Sequence, residues 1–180
     1  MTISIEIPTT KDQVSTLNAG DRVLLSGTLY TARDAAHKRM TEALDRGEPL
    51  PFPIEGAFIY YAGPSPAKPG QVIGAAGPTT SYRMDAYAPR LLDLGLFGMI
   101  GKGDRSAQVT DAIRRNGGIY FAALGGAGAL IAKSILKVET IAYQDLGTEA
   151  IAKLTVKDFP VIVAIDSRGN NLYEAAGGNK

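Results

Sequence analysis

The sequence predicts an α/β fold in which a mixed sheet carries helices packed on it. Three observations support this. Apolar runs of strand length alternate with segments of helical period through the middle of the chain, and both ends are richer in strand-like runs. No repeat, charge block or shift in composition marks a second domain. The expected organisation is one domain over residues 1–174, with a flexible tail over 175–180 that has nothing to bury.

The elements follow in order. Ile3–Ile7 reads as a strand, and Arg22–Tyr30, rich in β-branched and aliphatic residues, as a second. A helix is expected over Ala32–Arg46, because Ala32, Ala36, Met40, Ala43 and Leu44 fall near one face and Gly47 supplies a stop. Leu50-Pro-Phe-Pro53 cannot be helix and marks a tight loop. Ala57–Ala62 and Gln71–Ala75 read as strands flanking the proline-rich turn Gly63-Pro-Ser-Pro-Ala-Lys-Pro-Gly70. A helix over Met84–Leu94 would turn Tyr87, Leu91 and Leu94 inward. Strands and helices then alternate over Phe97–Gly101, Ser106–Arg115, Ile119–Leu124, Ala127–Ser134 and Ile135–Tyr143. Two strands, Ile151–Val156 and Val161–Ile165, and a Ser167-Arg-Gly-Asn turn close the reading.

Composition removes several function classes. The net charge is +1, from 19 basic and 18 acidic residues, so no broad electrostatic footprint for nucleic acid is expected. Cysteine is absent, which excludes disulfides and any thiolate-held metal or cluster within this chain. His37 is the one histidine, so a multi-histidine metal cage is excluded too. The N-terminus lacks a basic region followed by an apolar stretch, and no apolar run approaches the roughly 20 residues of a membrane span. The expectation is a cytoplasmic protein without membrane contact.

Three segments combine glycine, small hydroxyls and isolated cations near predicted strand ends. In Gly27-Thr-Leu-Tyr-Thr-Ala-Arg-Asp-Ala-Ala-His37 a strand runs into a helix whose first turn carries Arg33. A cation there opposes the helix dipole unless it has a negative partner. His37, four residues on, would share its face, and Asp34 and Lys38 would form a further pair. Taken alone, this segment is better explained as a surface helix with one salt bridge. In Gly74-Ala-Ala-Gly-Pro-Thr-Thr-Ser-Tyr-Arg-Met-Asp85, glycines and hydroxyls can cup an anion, or Thr79, Thr80 or Ser81 can cap the next helix, with Asp85 in its first turn. In Gly98-Met-Ile-Gly-Lys-Gly-Asp-Arg-Ser106, Lys102 sits between glycines after an apolar strand, free to approach a ligand.

Two nucleotide motifs fail. The position five before Gly101 is Leu96 and Gly103 follows the lysine, so this is no phosphate-binding P-loop. In Leu124-Gly-Gly-Ala-Gly-Ala-Leu-Ile131 the third glycine position is Ile131, so a dinucleotide fingerprint fails and a close strand-to-helix turn is expected.

Together the segments resemble the class I fumarate hydratase and L(+)-tartrate dehydratase family, in the part formed by its C-terminal domain or separate beta subunit. The resemblance runs over Arg22–Tyr173. It rests on Gly27-Thr-x-x-Thr-x-Arg-Asp-x-Ala-His37, Gly77-Pro-Thr-Thr-x-x-Arg-Met-Asp85, Gly101-Lys-Gly103, Gly147-Thr-Glu-Ala and a terminal Asp-x-x-Gly-Asn. It implies a swivelling β/β/α-type fold and reversible hydration of a dicarboxylate double bond. It also implies a 4Fe-4S cluster held by a partner alpha subunit that carries the cluster cysteines, in a hetero-oligomer active only when assembled.

By the same resemblance Arg33, Arg83 and Lys102 match the cations that hold substrate carboxylates. Thr79 matches the hydroxyl assigned to proton transfer; His37 and Asp34 are candidates for a supporting place beside these residues, with the role of His37 open. Ala32, Asp104 and Ser81-Tyr82 depart from the common fumarase pattern and leave the substrate open. The leading expectation is a fumarate hydratase beta subunit. A tartrate dehydratase beta subunit is the first alternative, and a non-catalytic anion-binding module the second.

Overall fold

The computed structural model describes residues 1–124 and 128–177. Seven strands form one mixed sheet: β1 (Thr2–Ile7), β2 (Arg22–Thr31), β3 (Phe58–Tyr60), β4 (Gly98–Gly101), β5 (Ile119–Ala123), β6 (Ile135–Ala142) and β7 (Ile151–Ile165). β1 to β5 are parallel in that order, and β7 runs antiparallel to β5 and β6. β7 also pairs antiparallel with β2, from Arg22↔Ile162 to Thr31↔Ala152. The circuit β2–β3–β4–β5–β7 therefore closes on itself.

Strand alternation sends side chains to two apolar regions. Leu25, Leu29, Phe58, Tyr60, Ile100, Phe121, Leu154, Val156 and Val163 fill the inside of the ring, in one cluster with Val14 of the short helix α1 (Lys11–Ser15). Ile59, Tyr61, Met99 and Tyr120 face outward against Ala36 and Met40 of α2 (Asp34–Asp45), Leu91 and Leu92 of α3 (Ala88–Asp93), and Val109, Ala112 and Ile113 of α4 (Ala107–Asn116). A sheet apolar on both faces with helices packed on it, the longer ones on the outer face, is the expected β/β/α arrangement. Among the described residues no helix is long and apolar enough to cross a membrane.

Several expectations need correction. Gln71–Ala75 is not a strand. It folds back on the proline-rich turn, with the Ser65 amide donating to the Ala75 carbonyl and the Gly74 amide to the Ser65 carbonyl. The expected helix Met84–Leu94 is two pieces, a 3-10 turn over Ser81–Met84 and α3, because Pro89 in the first turn of α3 suits a helix start and not a helix interior. Leu94 is the C-cap of α3 and is 45 % exposed, so it does not turn inward as expected. The two final strands are one, β7. Asp158 takes a positive φ of 53° at a bulge against Leu25–Gly27, and the strand carries on beyond it.

Of the turn expected at Leu124–Ile131, residues 125–127 lie outside the described residues, and α5 is described over Gly128–Ser134. α6 spans Leu172–Gly177, where the tail was expected to begin, and residues 178–180 also lie outside the described residues.

Candidate functional site

Parallel strands in register end together, and the first and third cation-bearing segments leave one edge. Thr31 of β2 pairs with Tyr60 of β3, and Tyr60 pairs with Ile100 of β4. Arg33 lies two residues past Thr31, and Lys102 two past Ile100. The Ala32 amide donates to the Tyr60 carbonyl, and the Tyr61 amide to the Ile100 carbonyl, which carries the alignment beyond the strand ends. Carboxyl ends of parallel strands are where open α/β sheets place ligands.

Arg33 is the N-cap of α2, in extended backbone, with its side chain 27 % exposed. Its Nε lies 4.0 Å from Glu149 Oε1, too far for a hydrogen bond, and is buried without a partner. Glu149 Oε1 instead accepts from the Ala35 amide at 3.2 Å, a carboxylate at a helix N-terminus that offsets the misplaced cation. Gly63 gives Arg33 its room: a Cβ there would lie 2.9 Å from the Thr148 carbonyl and 3.0 Å from Arg33 Cδ. Next in sequence, Asp34 does not pair with Lys38 as expected. Its Oδ2 accepts from Arg83 Nε at 2.8 Å, so the first two segments are joined by an ion pair, and Arg83 stays 47 % exposed. No other described hydrogen bond uses the Arg83 guanidinium.

The second and third segments are stitched backbone to backbone. Thr79 N–H donates to the Tyr61 carbonyl at 2.7 Å, Thr80 bridges Lys102, and Ser81 N–H donates to the Lys102 carbonyl at 2.9 Å. A Cβ at Gly101 would overlap Ser81 Oγ at 1.9 Å, so this crossing requires glycine. The Lys102 side chain is exposed, and no described side chain hydrogen-bonds the Thr79 hydroxyl. Thr80 precedes the 3-10 turn without a side-chain cap, and Asp85 turns away to the start of α4, so the expected capping turn is not formed.

His37 does not share a surface with Arg33. It is fully buried, its ring edge-on to Tyr61 at 5.4 Å and tilted against Tyr87 at 5.9 Å. Nδ1 lies 2.8 Å from the Arg33 carbonyl, which can only accept, so Nδ1 carries the proton and Nε2 is a bare acceptor without a partner. Burial lowers its pKa to about 4. The hydrogen bond to Arg33 opposes that shift, Arg105 adds to it and Asp34 opposes it. His37 is a neutral core group under the site.

Sequence reasoning missed the group beneath Lys102. The side chain of Arg105 is 0 % exposed; its Nε donates to Asp85 Oδ1 at 2.7 Å and its Nη2 to the Tyr61 hydroxyl at 3.1 Å. Its guanidinium lies 4.7 Å from the Tyr120 ring centre and 5.2 Å from that of Tyr61. Burial works against its charge, yet Tyr61, Asp85 and Tyr120 hold its pKa above the ordinary value. Asp85 Oδ2 accepts from Ser106 N–H at 2.7 Å, and the Tyr120 hydroxyl lies 2.7 Å from both Ser81 Oγ and the Gly103 carbonyl. Nothing in the local pattern around Asp85 or Arg105 signals this pairing.

The arrangement can grip anions at an open shelf. Among the described residues no group of three or more His, Cys, Asp or Glu could hold a metal ion, and the thiolates that hold an iron–sulfur cluster are missing from the chain. These residues do not fit such a cluster, so their chemistry is that of cations and hydroxyls.

Comparison with known proteins gives the setting. A family model described as "Fumarase C-terminus" matches residues 1–176. The chain is 44 % identical over 165 residues to fumarate hydratase 2 of Leishmania major, covering 91 % of this chain and 29 % of that protein. It is 42 % identical over 164 residues to the aerobic class I fumarate hydratase of Escherichia coli K12, covering 90 % and 30 %. A putative L(+)-tartrate dehydratase subunit beta of Methanocaldococcus jannaschii is 40 % identical over 171 residues, covering 92 % of this chain and 88 % of its own length. The chain thus spans under a third of those two fumarate hydratases and most of the subunit.

Proposed function

Because the chain belongs to the fumarase C-terminus family, a family of hydro-lyases, we propose that it is the beta-type part of a fumarate hydratase, interconverting fumarate and (S)-malate in a hetero-oligomer. In this reading a partner alpha subunit holds a 4Fe-4S cluster that supplies Lewis acidity at the hydroxyl being gained or lost. This chain supplies carboxylate grips and a proton-transfer hydroxyl. The observation that carries the reading is the delivery of Arg33, Thr79, Arg83 and Lys102 to one sheet edge.

Removing a proton beside a carboxylate pushes negative charge onto that carboxylate, so fixed cations help the transition state more than the ground state. Arg83 suits this. Asp34 holds its Nε and leaves the two terminal nitrogens to meet a carboxylate side by side. Lys102 offers a point charge from an exposed loop. Thr79 transfers the proton only with an activating group, which the partner has to bring.

The tartrate dehydratase reading is favoured by one observation, the near full-length match to a subunit beta of that name. Of the residues that depart from the common fumarase pattern, Ala32 and Ser81 are fully buried and cannot read a ligand, whereas Tyr82 is 65 % exposed beside Arg83. The test is anaerobic co-expression with the candidate partner, followed by separate assays of fumarate and L(+)-tartrate. Fumarate turnover is expected. Turnover of tartrate alone would transfer the assignment, and turnover of neither would leave an anion-binding module.

A further inference from the structure

We infer that the Asp85–Arg105 pair, its guanidinium fully buried and its carboxylate mostly so, is the positioning element of this site, setting the place of Lys102 relative to Thr79 and Arg83. The inference rests on the functional reading above. Residues 101–106 leave β4 as a loop that carries Lys102, and the segment 79–85 grips it at both ends. At the near end Ser81 N–H holds the Lys102 carbonyl at 2.9 Å. At the far end the two Asp85 oxygens are divided, one on Arg105 Nε and one on Ser106 N–H, each at 2.7 Å. Between them the Tyr120 hydroxyl accepts from Ser81 and donates to the Gly103 carbonyl, both at 2.7 Å.

Stability alone does not call for charges here. A buried ion pair is often no better for folding than an apolar pair of similar volume. What an apolar pair lacks is direction. The Arg105 guanidinium is fixed by Asp85, by the Tyr61 hydroxyl and by the rings of Tyr61 and Tyr120, so its plane, and with it the loop, has one orientation. Tyr61 also ties the element to Thr79, since its carbonyl receives the Thr79 amide at 2.7 Å. Arg105 acts through the two segments and touches no ligand itself.

The test uses the assembled complex. Asp85→Leu/Arg105→Met replaces the charges together and leaves neither one buried alone. Its melting should stay near that of the wild type while kcat/KM on the dicarboxylate turned over by the wild type falls about a hundredfold, the scale of a misplacement near 1 Å. A double variant that folds and keeps wild-type turnover overturns the inference. Where that variant does not fold, Tyr120→Phe decides. It removes one hydroxyl, and should lower kcat/KM about tenfold, the worth of about one hydrogen bond, without a matching loss of melting temperature; unchanged turnover overturns the inference. Amide exchange at Ser81 in the isolated chain is the readout independent of activity. It should quicken in Tyr120→Phe while β2 amides keep their protection. If the wild-type complex turns over no dicarboxylate, the functional reading fails and Ser81 exchange alone judges the coupling, with unaltered exchange overturning it.

Discussion

Neighbouring residues on β3, β4 and β5 face two different interiors. Tyr60, Ile100 and Phe121 turn into the closed ring, and Tyr61, Met99 and Tyr120 turn toward the helices. Inside the ring the contacts are carbon on carbon, with the Tyr60 ring edge-on to Phe159 at 5.1 Å and its hydroxyl reaching the Ala76 carbonyl at the margin. On the helix side the hydroxyls of Tyr61 and Tyr120, and the sulfur of Met99, all belong to the group around Arg105. One peptide step separates a position that sets stability from one that sets geometry. Helices and loops deliver backbone and side-chain partners to the outer face, and the ring has few to offer, so polar positioning belongs outside.

The sharpest way to break this division is to mutate each face separately. Phe121→Ala empties part of the ring and should cost about 3–5 kcal/mol of stability in urea unfolding. The folded fraction should keep its kcat/KM; a large loss would mean the faces are coupled. On the helix side, His37 should make stability depend on pH. Above pH 6.5 the imidazole is neutral in both states and contributes no slope. Below it the unfolded chain binds a proton that the buried ring refuses until about pH 4, so stability falls as the pH drops through that window. The full loss is roughly 3 kcal/mol. With one histidine in the chain, His37→Gln should flatten the curve between pH 6.5 and 5; a slope that persists would refute the burial of a neutral ring.

Arg83→Lys tests the surface end of the same face. Charge is kept and the fork is lost, so kcat/KM in the complex should drop about a hundredfold, roughly 2.7 kcal/mol, with melting unchanged. Activity lost only in step with unfolding would assign Arg83 to the scaffold. The smallest effect is expected at Ser106, whose Oγ accepts from Val109 N–H at 3.3 Å as the N-cap of α4. Ser106→Ala should cost about 1 kcal/mol in thermal melting. A change in KM alongside would show that the α4 start also helps to place Lys102.

What the sequence revealed was local. The α2 stripe of Ala36, Met40 and Ala43 is buried as its spacing predicts, with Leu44 half-buried beside it, because a 3.6-residue period is a property of neighbours; Ala32 is buried too, but from the strand end before the helix. The three cation segments are likewise visible as glycine and hydroxyl clusters, two of them at strand ends and the second after a stretch, Gln71–Ala75, that forms no strand. Partners distant in sequence were not visible. Asp34 finds Arg83 rather than Lys38, and Asp85 finds Arg105, because parallel strands bring their ends together whatever their separation along the chain. The four-residue spacing of Arg33 and His37 predicts a shared helical face. Arg33 lies in extended backbone before the first turn, so that rule did not apply to it. Pro89, in the first turn of α3, is a local signal for the break between Met84 and Ala88 that the apolar period around it masks.

The closing strand has a bearing on biosynthesis. β7 pairs with β2 through Val23↔Val161 and with β5 through Ala123↔Val161, so one residue late in the chain joins strands made long before it. A chain that emerges N-terminus first holds β2 and β5 with open edges until β7 arrives, and pairings of such long sequence separation form slowly. An open strand edge is a template for the wrong neighbour, including another unfinished copy. The nascent polypeptide is therefore most vulnerable to aggregation in the interval before residues 151–165 have left the ribosome, and the rate at which that stretch is translated becomes a determinant of yield.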